Sequence, residues 1–161
     1  MKTHRYLLSV AAAATLACVL QAAELSHADR QFFEKAAKAG MKEVAVAEAV
    51  QPNLTTPSAK SFAQMMAADH SKANEELKAL AAQKGVTLPA PDPKPGEKWA
   101  KNNKDADDEY LAEMVDDHKE AVDLFEKAAK SKDADIAAFA QKTLPTLRHH
   151  LDEAKAQKKA H

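Results

Sequence analysis

The chain has little glycine, few aromatics and a single cysteine. Three glycines in 161 residues and 5% aromatics, set against abundant Ala, Lys, Glu and Leu, point to an all-helical protein. No charge sign dominates: 23 Lys plus Arg stand against 24 Asp plus Glu, so no basic footprint argues for nucleic acid as a partner. No small-molecule site is evident either. The phosphate loop G-x-x-x-x-G-K, the nucleophile elbow G-x-S-x-G and the zinc-protease pair H-E-x-x-H are all absent. No residues are therefore assigned a catalytic role, and an enzyme is not the expected reading.

The longest apolar run, Tyr6 to Leu20, is too short for a comfortable membrane span. It follows a basic start (Lys2, His4, Arg5) and precedes the small residues Ala22 and Ala23. That is the pattern of a secretory signal peptide over residues 1–23, which places the remainder, 24–161, in the periplasm as one domain. The sole cysteine, Cys18, lies inside the run. Cleavage after it leaves a mature protein without disulfide or thiolate chemistry. Cleavage at Ala17-Cys18 would instead give a lipoprotein tethered to the inner or outer membrane through Cys18.

Hydrophobic spacing of three and four predicts helices over about 26–51, 57–84, 105–130 and 134–158. Ser26 with Asp29 reads as a capping box, and Thr56-Pro57 as an N-cap with proline at the first helical position. Pro145 is expected to kink or locally unwind the last helix. Between helices two and three lies a linker, about 85–104, with Pro89, Pro91, Pro93 and Pro95. A helix of about 26 residues is about 39 Å long. An extended proline-rich strip of about 20 residues reaches about 60 Å. The linker can therefore travel the whole bundle and set helix three parallel to helix two, as in a ferritin-like four-helix bundle with one long crossover. A plain up-down-up-down bundle is the alternative. Trp99 is expected to pin the linker to the bundle.

Two segments read almost as one another: Phe62 to Leu77 and Tyr110 to Phe125. Alignment pairs Met66 with Met114, Asp69 with Asp117, His70 with His118 and Ala73 with Ala121. Each histidine falls on its helix's apolar stripe. Glu43 in helix one and His150 in helix four share that placement, so each helix puts one metal-competent side chain on its seam. Counted from the shared end of the bundle, Glu43 and His150 stand about five residues, or about 7 Å, away from the level of His70 and His118.

Three imidazoles and a carboxylate suit one transition-metal ion: zinc, copper or iron. Asp69 and Asp117 could orient histidines on neighbouring helices. Met66 and Met114, one turn before His70 and His118, would favour cuprous copper if they joined the site. The competing reading is a buried His–carboxylate hydrogen-bond network that fixes helix register without metal. None of the three seam histidines stands in the Glu-x-x-His motif that carboxylate-bridged di-iron oxidases use twice, because Ala67, Val115 and Leu147 stand three residues before them. His149 is expected to face solvent, and His27 and His161 are incidental.

Met66-Ala-Ala-Asp-His70 with Ala73 and Glu76-Leu77, then Tyr110-Leu with Met114-Val-Asp-Asp-His118, then Thr143-Leu-Pro145-Thr-Leu147-Arg-His-His150-Leu resemble the domain of unknown function 4142. Glu43-Val44 fits its pattern too, and the likeness runs from about Asp29 to Ala156. The resemblance implies an exported bacterial protein, often described as a membrane or outer-membrane protein, with a ferritin-like helical fold. It implies no reaction. Two functions follow: a metal-binding bundle for storage, buffering or stress protection, or a metal-free structural or interaction module of the cell envelope.

Overall fold

In a computed structural model of the chain the described residues are 24–99 and 104–160. Residues 1–23, where the signal peptide and Cys18 are expected, and His161 lie outside them. The elements in order are α1 His27–Val50, a 3-10 turn Gln51–Asn53, α2 Pro57–Gln83, α3 Lys94–Glu97, α4 Ala106–Ala128 and α5 Ala134–Ala160. Among the described residues there is no strand. No described helix is long and apolar enough to cross a membrane.

The ends are set by local chemistry. Ser26 caps α1 by accepting from the Asp29 amide at 3.1 Å, while its hydroxyl donates to the Asp29 carboxylate at 2.6 Å. Thr56 caps α2 by accepting from the Ala59 amide, with Pro57 first in the helix. At the other end of α2, Gly85 takes φ 66°, and the Val86 and Gly85 amides return to the carbonyls of Ala81 and Ala82. This is a Schellman closure, and its left-handed position favours glycine. Asp133 caps α5 by accepting from the amides of Asp135 and Ile136.

Two apolar clusters fix the topology. One gathers Val46 and Val50 late in α1, Phe62 and Met66 early in α2, Tyr110, Leu111 and Met114 early in α4, and Ala154 late in α5. The other gathers Phe32 and Phe33 early in α1, Leu77 and Leu80 late in α2, Phe125 late in α4, and Ile136 and Phe139 early in α5. Thus α2 runs parallel to α4, and α1 to α5, which makes this the ferritin-like single-crossover bundle. The main packing faces are α1 on α2 and α4 on α5, with thinner contacts between α1 and α4 and between α2 and α5. The parallel helices therefore lie diagonally opposite.

The crossover is fastened rather than loose. Its short α3 packs on α1 at Gly96, where an added Cβ would stand 3.1 Å from the Ala45 carbonyl oxygen. Trp99 is 1% exposed and stacks edge-on against Tyr110, and its carbonyl accepts from Asn53. Asp107 ties the crossover's far end to the start of α2. Its carboxylate accepts from the amides and hydroxyls of both Thr55 and Thr56, and these bonds hold it below the usual carboxylate range against the opposing effect of burial.

The last helix stays helical through Pro145 instead of unwinding. The carbonyl that the proline leaves without a donor belongs to Gln141, and both residues are exposed, so water can serve it. Leu144 turns inward beside Thr143, which is half-buried and donates to the Phe139 carbonyl.

Candidate metal centre

Between the two apolar clusters lies a buried polar layer. His70 is 7% exposed, His118 and His150 1% each, and Glu43 3%. The doublet resolves as expected from the stripe: His150 faces in and His149 is exposed.

The three imidazoles form a nearly equilateral triangle, with ring centroids 5.4, 5.4 and 5.3 Å apart. One candidate nitrogen from each lies within 4.8 Å of the others. The Nε2 atoms of His70 and His118 are already 3.3 Å apart. A zinc-like ion bound at about 2.0–2.1 Å needs its nitrogen ligands about 3.3–3.6 Å apart, so closing the triangle asks for shifts of about 1 Å. His150 therefore stands level with the other two despite the offset counted from the helix ends. Both α5, which runs on to Ala160, and the 3-10 turn after α1 lengthen the shared end and close part of that gap.

Hydrogen bonds assign the protons. His118 donates from Nδ1 to the Met114 carbonyl at 2.9 Å, which leaves its Nε2 lone pair free. In the metal-free arrangement that lone pair accepts from His70 Nε2. His150 donates from Nε2 to the Asp69 carboxylate at 3.0 Å, and its Nδ1 is buried without a partner. Asp69–His150 is the carboxylate–imidazole pair that orients metal-binding histidines elsewhere.

The other expected residues divide. Glu43 lines the same small cavity as His70 and His118, and its Oε2 has no partner among the described residues. It does not join the three histidines in the close ligand set. Asp117 pairs with Lys42 at 2.5 Å rather than with a histidine. Met66 and Met114 are fully buried in the apolar cluster that adjoins the layer. The residue that sequence reasoning missed is Lys42, which bridges Asp117 and Glu113 (3.0 Å) between α1 and α4. Nothing in the pattern of a single helix points to a bond between two.

Burial dominates the electrostatics. It pushes the His70 imidazole well below its ordinary range, aided by the neighbouring His118 and His150. It brings His118 down to about 4, with His150 adding to the effect and the Met114 carbonyl opposing it. His150 is lowered as well, by burial against the restoring pull of Asp69. Burial, then the charge of Asp117, raises the Glu43 carboxyl well above its usual range. At neutral pH the layer thus holds three neutral imidazoles beside a carboxyl whose ionisation burial disfavours. Neutral imidazole is the ligating form, so no imidazolium has to be discharged, although His70 must move its proton from Nε2 to Nδ1 before Nε2 can ligate.

The sequence matches a family described as "Domain of unknown function (DUF4142)" over residues 14–156. No curated protein matches it. Among solved structures it is similar to the DUF305 fragment from Deinococcus radiodurans, with a TM-score of 0.73 at 11% identity over 84% of this chain and 98% of that one. At that identity the likeness speaks for the fold alone, and it agrees with the helical bundle described above.

Proposed function

The chain belongs to the domain of unknown function 4142 family, whose name assigns no activity, and on that premise we propose a function from the site: an exported bundle protein that holds one transition-metal ion between His70, His118 and His150. The observation that carries this reading is the buried triangle of imidazoles with converging nitrogens, each supplied by a different helix. His150 Nδ1 has no partner among the described residues, and His118 Nε2 becomes free to ligate once its bond from His70 is released. His70 would ligate after giving up its bond to His118.

Three neutral nitrogens suit zinc, copper or ferrous iron, and the ion would supply Lewis acidity or redox capacity only where a substrate could reach it. The centre is buried, and the Glu-x-x-His pair of di-iron oxidases is absent. Storage, buffering or stress protection follows more naturally than turnover. Export rests on the basic, apolar and small-residue pattern of residues 1–23, with a membrane tether through Cys18 as the lipoprotein variant.

A second reading is favoured by one observation: His70–His118 and Asp69–His150 already form hydrogen bonds without metal. The protein would then be a metal-free envelope module with a polar layer that fixes register. Elemental analysis and metal titration of untagged protein separate the two. About one ion per chain, lost in the His70→Ala/His118→Ala variant, supports the metal centre. The metal should also raise the melting temperature of wild type alone. No bound metal after titration, with equal destabilisation of the variant in chelator, would establish the structural network instead.

A further inference from the structure

Two spaces meet at Glu43. The outer one is a groove of about 1030 Å³ between α1 and α4, with Phe32, Ala39, Ala121 and Leu124 among its walls. The inner one is a cavity of about 40 Å³ against His70 and His118. Ala39, Glu43, Asp117 and Ala121 line both. A water molecule's share of liquid volume is about 30 Å³, so the inner cavity takes one water or one ion at a time.

The passage lies where packing between neighbouring helices is thin, and the two alanines keep it from being plugged by larger side chains. Glu43 stands at its inner end, buried, with Oε2 unpartnered among the described residues. The approach is of mixed charge: the exposed carboxylates of Glu120 and Asp123 line it on α4, and Lys35, Lys38, Lys127, Lys130 and Lys132 line it too. The donor that singles out a cation is therefore Glu43 at the inner end. Lys42, the cation nearest in sequence to Glu43, is held by Glu113 and Asp117, which offset its charge. A cation going from water to buried imidazoles loses its hydration in steps, and a carboxylate oxygen is the donor closest in kind to the water it replaces.

We propose that metal ions reach the centre through the α1–α4 groove, and that Glu43 is the transfer ligand that passes them to His70 and His118. The inference rests on the reading of the three histidines as a metal centre. A transfer ligand lowers the barrier in both directions. Its loss therefore slows binding and release together and leaves affinity nearly unchanged, whereas loss of a resident ligand weakens affinity itself.

The test is stopped-flow mixing of the full mature chain with Co²⁺ alone, read by visible absorption, on wild type, Glu43→Gln and Ala121→Leu. Glu43→Gln keeps the shape and removes the anionic donor; Ala121→Leu narrows the passage with Glu43 intact. In both variants association and dissociation should slow by about tenfold or more, each tenfold being about 1.4 kcal/mol of barrier, with Kd within about threefold. Unchanged rates in both variants overturn the route. A Kd weakened about tenfold or more in Glu43→Gln at an unchanged association rate makes Glu43 a resident ligand and overturns the transfer role. Absence of Co²⁺ binding by wild type defeats the metal centre and the route with it, and that outcome is read before any variant is compared.

Discussion

Acidification of the metal-free protein should unfold it through its histidines. Burial brings His118 down to about 4 in the folded chain, against an ordinary value of 6.5. Between those limits the unfolded chain takes a proton that the native site refuses, so stability falls as pH falls, while above pH 6.5 both states are neutral and His118 contributes nothing. With about 1.36 kcal/mol per pKa unit, this one group removes about 2 kcal/mol by pH 5 and about 3.4 kcal/mol once pH is below both values. His70 and His150 are depressed too and add in the same direction. Glu43 opposes them, because its raised carboxyl binds a proton in the native state that the unfolded chain has released. The assay is urea unfolding in chelator, followed by circular dichroism at intervals from pH 7.5 to 5. His118→Leu should reduce the slope by about 1.4 kcal/mol per pH unit, the contribution of one proton. Stability that is flat from pH 6.5 to 5, or a slope unchanged in His118→Leu, would refute the reasoning.

Three further outcomes follow. Asp69→Asn removes the anion that orients His150, and a competition titration should show metal affinity weakened about 10- to 100-fold, as for other such partners; unchanged affinity would mean that His150 needs no orienting. Asp107→Ala strips four hydrogen bonds from Thr55 and Thr56 and should cost about 2–4 kcal/mol in urea unfolding, with metal affinity intact. Glu43→Gln mimics the protonated acid, so the metal-free protein should gain stability at pH 7 and lose that gain as pH falls towards 4.5, measured by the same unfolding series.

Period was the most legible property of the sequence. Spacings of three and four turned Phe32, Ala36, Ala39, Glu43, Val46 and Val50 to one face, and all but Ala39, which is half-buried, are buried. The same rule separated His150 from its neighbour, since successive residues on a helix point about 100° apart. The single crossover was legible because chain length limits topology: the linker is long enough to span the bundle, and the two apolar clusters show that it does. What depends on two helices at once was not legible. Whether Asp117 meets a histidine or Lys42 turns on how α1 and α4 are rotated about their own axes, which neither helix encodes alone. Height failed for a related reason. Residues were counted from expected helix ends, and α5 runs on to Ala160. The α1–α4 groove could not be anticipated, because it depends on how tightly two helices far apart in the sequence pack.

The likeness between the Phe62 and Tyr110 segments takes its meaning from the bundle. They form α2 and α4, parallel and diagonally opposite, so an approximate two-fold axis along the bundle exchanges them and brings His70 onto His118. The same axis exchanges α1, which carries Glu43, with α5, which carries His150. A layer built for helix register alone would do as well with four imidazoles or four amides, placed alike by that axis. The layer instead breaks the symmetry at one position, with a carboxyl on α1 where α5 offers an imidazole. That departure lies where the layer meets the α1–α4 groove, since Glu43 lines both the groove and the inner cavity while none of the three histidines lines the groove. The odd residue and the open side therefore coincide. This is the arrangement expected if three positions hold an ion and the fourth admits it.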